Sequence, residues 1–142
     1  MPSFVFTASR IGILNATIDL DSDTFYACLV TSTPASSTTA RTGIAEASGG
    51  TYAPQLLTGR TLDSPTTATV RWTFTNPIWN NLTTATSTPV LGMVICKRNG
   101  ASFATSDPVV AFLEFNSSFT PSGETFQVDI PTNTGVLTGT FS

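Results

Sequence analysis

Between residues 69 and 75 apolar and polar side chains strictly alternate, with Val70, Trp72 and Phe74 on one side and Thr69, Arg71, Thr73 and Thr75 on the other. A period of two is the repeat of an extended strand, whereas a helical face repeats every 3.6 residues. Residues 125–130 repeat the pattern, setting Phe126, Val128 and Ile130 against Thr125, Gln127 and Asp129. Three further runs, residues 25–30, 90–96 and 109–115, are apolar on both faces. They are expected to be central strands, either covered on both sides or lying against a neighbouring subunit.

The intervening residues support the same class. Gly49-Gly50, Asn99-Gly100 and Ser122-Gly123 are turn signals between strand-like runs. Prolines at positions 34, 54, 65, 77, 89, 108, 121 and 131 fall at run edges or in loops, where no ladder hydrogen bond is lost. Residues 8–16 alone could make a helical turn, and Gly12 weakens it. The expectation is a single all-β domain over residues 1–142: an antiparallel β-sandwich or small barrel. Residues 1–9 are a candidate extended N-terminal arm, and residues 31–48, Ser/Thr-rich at their start, a long loop. Phe4 and Phe6 make the arm a candidate for adding a strand to a partner's sheet edge, against the alternative of a first strand of its own domain.

Charge narrows the function classes. Charged residues make up 11% of the chain, against roughly 25% in an ordinary globular domain. Thr and Ser fill the vacated polar positions, and Thr favours strands. With 40% of the chain apolar, a packed core is expected rather than disorder. The net charge is −3 and the six cations are scattered, so neither a row of phosphates nor an anionic membrane surface would be matched. The longest apolar run, residues 89–96, is too short to span a bilayer. No basic-then-apolar leader is legible at the N-terminus, so synthesis in a host cytoplasm is the expectation.

Catalytic chemistry is poorly supplied. There is no histidine, which removes the commonest general base and every Ser-His or Cys-His nucleophile. The lone lysine, Lys97, reads as a solvated cation at a strand end. Asp19, Asp21 and Asp23 recur at every second position, as in the first half of a calcium loop. Thr24 and Val30, however, stand where such a loop needs glycine and glutamate. In an extended chain the three would simply share a solvent face, with a weak calcium site as the alternative. Glu114, Glu124 and Asp129 are the remaining candidates for a glycosidase pair. Trp72 belongs to the regular apolar face; Trp79 is the more open and could join Tyr52 and nearby Asn residues in a sugar platform or partner contact. Cys28 and Cys96 read as buried free thiols. Asn15, Asn81 and Asn116 each open a glycosylation triplet, which means little without a secretion signal.

Several segments, taken in order, resemble a family of small structural proteins of tailed bacteriophages. They are GILNATIDLDSDT at 12–24 followed by a strand ending Leu29-Val30-Thr31-Ser32; GTYAPQ at 50–55 with LTGRTL at 57–62; Phe74 through Trp79-Asn80-Asn81 to VLGMVICK at 90–97; and PVVAFLEF at 108–115 with Gly135-Val136-Leu137. The similarity covers most of the chain and departs at residues 1–9 and 31–48. It implies a virion component, with the major capsid protein or further copies of the chain as partners, no catalytic residue and no cofactor. A capsid cement or decoration protein is the leading expectation. A tail-tip, baseplate or fibre component and a carbohydrate-binding module are the alternatives.

Overall fold

The computed structural model describes residues 3–66, 69–85, 88–131 and 135–140. Strands dominate, as the alternation requires, and pair antiparallel throughout. In chain order they are β1 (Phe4–Val5), β2 (Phe25–Val30), β3 (Gln55–Leu56), β4 (Thr61–Thr66), β5 (Thr69–Thr73), β6 (Ile78–Thr83), β7 (Val90–Lys97), β8 (Val109–Phe119), β9 (Ser122–Gln127) and β10 (Leu137–Thr140). One helix, α1 (Thr7–Leu14), follows β1. No described helix is long and apolar enough to cross a membrane.

The first layer is a five-stranded sheet in the order β1-β8-β7-β2-β3. The second is built from β4-β5-β10 and β6-β9. β5 runs on toward β6 through Asn76 and Pro77, where Asn76 Oδ1 accepts Ile130 N–H at 2.9 Å. Val128 N–H to Pro77 O at 3.1 Å extends the β6-β9 ladder, and Val136 N–H to Trp72 O at 2.8 Å the β5-β10 ladder. Every sheet is open, so the architecture is a sandwich rather than a closed barrel.

Alternation along β2 sorts its side chains between two cores. Phe25, Ala27 and Leu29 face the second layer, where Phe25 meets the Trp72 ring at 4.9 Å and Phe74 meets Trp72 at 4.6 Å. Tyr26, Cys28 and Val30 face outward with Val94, Cys96 and Phe112. That outer face is covered by the chain itself, through Phe6, Ile44 and Phe103. Burial on both sides of β2 and β7 is thus met within one chain.

The covering elements decide one open alternative and correct one expectation. Residues 4–5 form a strand of the chain's own sheet, with Phe4 opposite Phe112 and Val5 opposite Ala111. Residues 7–14 form a two-turn helix where one weak turn was expected. Its end closes with Ala16 at φ 60° and Thr17 N–H bonded back to Gly12 O at 2.9 Å, a Schellman-type stop. Gly12 leaves room there for Ile18, whose Cδ1 would lie 2.9 Å from an added Cβ. Buried Ser9 donates to Val109 O, so tertiary contact supplies what propensity lacks.

The long loop doubles back over the same face. Ala47 N–H donates to Leu29 O at 2.8 Å and Arg41 N–H to Asp107 O at 2.9 Å, which pins residues 31–48 across the outer core.

Candidate functional site

β8 is the longest strand, at eleven residues, and outruns the two-residue β1 beside it. Its register with β7 slips between Gly92↔Glu114 and Val90↔Phe119. Four β8 residues, 115–118, therefore stand opposite one on β7, a bulge that bends β8 before it pairs again at Phe119. Thr120 and Pro121 then turn the chain into β9, in the second layer. The sandwich is left open along this side.

In the opening lie Phe115, Phe119 and Phe126, all half-buried. Phe119 and Phe126 stack with centroids 4.0 Å apart at 29°, and Phe115 meets Phe126 edge-on at 5.5 Å. Together with Leu113, Val128 and Val136 they floor a groove of about 820 Å³. A cavity of that size is typical of binding sites. Glu114, Glu124 and Asp129 stand on its rim, and no Lys or Arg is among the described lining residues.

The rim carboxylates are held locally. Glu124 accepts from Ser122 N–H at 3.0 Å and Ser122 Oγ at 2.7 Å, bonds that keep its carboxyl below the usual range. Asp129 accepts from Asn76 Nδ2 at 3.0 Å and Gln127 Nε2 at 2.6 Å. A glycosidase acid needs a carboxyl raised toward neutrality. Glu124 is moved the other way, although all three glycosidase candidates share this rim.

The other expected site residues lie elsewhere. Phe6 is fully buried and Trp79 is 2% exposed, so neither is a surface contact. Trp79 points inward because its indole N–H donates to Ala53 O at 2.8 Å while its ring packs near Phe126. Phe4 is half-buried between Phe6 and Phe112, at 5.1 and 5.4 Å. Tyr52 gives its hydroxyl to Glu46 Oε1 at 2.8 Å. The sugar platform of Trp79 and Tyr52 is therefore not formed.

Asp19, Asp21 and Asp23 sit in a tight turn rather than an extended stretch. Asp19 caps that turn by accepting from Asp21 N–H at 2.9 Å and Ser22 Oγ at 2.7 Å, which lowers its carboxyl. Asp23 pairs with Lys97 Nζ at 2.8 Å, so the lone lysine is not simply solvated. Among the described residues no three acidic, Cys or His side chains converge as a metal site. Cys28 and Cys96 are free, buried and on neighbouring strands, offset by two residues on one face.

No family model, curated protein or solved structure matches the chain.

Sequence reasoning missed the groove. Phe115 belongs to a run apolar on both faces and Phe126 to a regularly alternating one, so neither position is marked in the sequence as part of an open groove. One signal was available: after Phe115 the run turns to Asn116-Ser117-Ser118 before Phe119, so one face of β8 loses its apolar neighbours while two rings persist.

Proposed function

We propose that this chain is a non-enzymatic structural protein of a tailed-phage virion, and specifically a capsid cement or decoration protein that bridges major capsid subunits. The single observation that carries a docking role is the aromatic groove left open between β8 and β9. Sandwich edges are ordinarily covered, charged or twisted away from partners. Here an apolar floor reaches the surface instead. The ordered similarity to small phage structural proteins is what directs that role to the virion.

Magnitudes favour a protein that works in an array. Removing the exposed half of three Phe rings from water is worth about 1 kcal/mol each. Roughly 3 kcal/mol is less than the cost of bringing two bodies together, about 4–15 kcal/mol. The apolar floor alone does not hold a free partner; strand-edge and charge-assisted hydrogen bonds must add to it. A chain touching several capsid subunits at once gains the rest through multivalency.

The test is densitometry of purified particles against the major capsid protein. A ratio near one-to-one, or one copy per small set of capsid subunits, is the expected result. A few copies per particle would move the protein to the tail, and absence from particles would overturn the virion role.

A further inference from the structure

Resting on the reading of this chain as an assembly protein, we infer that the groove between β8 and β9 receives an extended segment of a neighbouring protein subunit, apolar at alternate positions and carrying Lys or Arg between them. Two features define the shape of the occupant. The groove is lined chiefly by β8 and β9, and each has an edge open to a further strand. β8 beyond Glu114 carries no described strand on the side away from β7, and β9 carries none on the side away from β6. An extended chain entering there meets backbone donors and acceptors on its flanks and apolar side chains beneath every second residue.

The floor is apolar. Phe119 and Phe126 stack at 4.0 Å, which takes up one face of each ring, and Leu113, Val128 and Val136 line the groove beside them. Aliphatic groups pack well on such a surface, and a cation on the occupant is met by the rim.

The rim is suited to that. Among the described residues, Glu124 and Asp129 take hydrogen bonds from the neutral groups of Ser122, Asn76 and Gln127 and pair with no cation. A Lys or Arg crossing the rim gains charge-assisted hydrogen bonds there, whereas an acidic segment is repelled.

The experiment uses the full chain with two fluorescein-labelled synthetic peptides, one of alternating Val and Lys and one of alternating Val and Glu. Anisotropy and amide chemical shifts are followed together. Binding of the Val/Lys peptide alone is expected, with shifts confined to residues 113–119 and 122–129. The double variant E124Q/D129N should weaken it by about tenfold, in line with the loss of charge-assisted contacts, and added salt should weaken wild-type binding in the same direction. Equal binding of both peptides, shifts mapping elsewhere, or no binding would overturn the inference, as would displacement by a soluble oligosaccharide. Phe119→Ser serves as a second variant, its fold checked by circular dichroism. Particles that incorporate folded F119S at the wild-type ratio would sink the groove inference and leave the virion role standing. Selective peptide binding by a chain absent from particles would do the reverse.

Discussion

The Tyr26 hydroxyl donates to Asp107 Oδ2 at 2.9 Å, and this one contact ties the central strand β2 to the loops that cover its outer face. The carboxylate also accepts Ala104 N–H at 2.9 Å and Asn99 N–H at 3.1 Å, so it organises the whole 99–107 turn. Phe103 stacks on the tyrosine ring at 4.1 Å, and the Arg41 guanidinium lies 5.6 Å from its centroid. Arg41 in turn forks onto Glu46 at 2.7 and 2.9 Å. Polar bonds among buried groups thus fix where two long loops sit.

Asp107 is 1% exposed and satisfies three donors. Replacing Asp107 with Ala strands those donors, and hydrogen bonds to a charged group are worth about 1.5–3 kcal/mol. Asp107→Ala should lower unfolding stability by about 2–4 kcal/mol, read from the urea midpoint. Tyr26→Phe, which removes one donor and leaves the ring, should cost only about 1 kcal/mol. A reversed order would mean that ring packing, not the carboxylate, holds the turn.

Burial first, with nearby thiols and acidic groups adding, pushes both Tyr26 and Tyr52 well above the ordinary phenol range. They are the two tyrosines of the chain. The native protein should therefore show no phenolate absorbance until it unfolds. Because the folded values are raised, the stability they contribute is fully present below the unfolded value of about 10. Above that pH the unfolded state releases protons that the folded state keeps. Stability then falls by up to about 1.4 kcal/mol per pH unit for each tyrosine. Absorbance at the phenolate band, followed alongside circular dichroism, checks this; titration that precedes unfolding would count against it.

Gly92 lies in the central strand β7, and a Cβ there would sit 2.4 Å from the Phe112 ring and 2.7 Å from Leu113 O. One obstacle is backbone, so a rotamer change cannot relieve it. Gly92→Ala should cost about 1–3 kcal/mol as an overpacking change. Gly100 has nothing within 4 Å, and Gly100→Ala should stay within about 0.5 kcal/mol. Paired denaturation curves test both.

Cys28 and Cys96 are both fully buried. A hydrogen bond with Cys96, followed by burial, pushes the Cys28 thiol up. Because both thiols are shielded from reagent, and Cys28 is in addition held from its reactive thiolate form, neither should react with a disulfide reagent in the native protein, and two should react once it is denatured. Rapid native labelling would show that the outer layer of α1 and loops opens readily.

Much of the fold is legible in residue order, and particular residues show why the rest is not. Val70, Trp72 and Phe74 announce their strand by alternation. The doubly apolar 25–30 run announces a central position, because only a strand covered on both faces tolerates it. Alternation could not say whether this chain or a neighbour supplies the second cover. Phe6 and Phe4 look identical to a free apolar arm until the register with Phe112 and Ala111 is known. Trp79 looks open among Asn and Pro residues until Ala53 O, 26 residues away, captures its indole.

The groove marks the same boundary. Period-two patterning commits the chain to strands and assigns each side chain to a face, since that is a local consequence of backbone geometry. Whether a face is buried depends on which strands pair and where registers slip, and those are long-range events. The bulge opposite Val90–Gly92 and the turn at Pro121 leave Phe115, Phe119 and Phe126 in an open edge rather than a closed core. The same packing gathers Glu114, Glu124 and Asp129, scattered over sixteen residues, onto one rim.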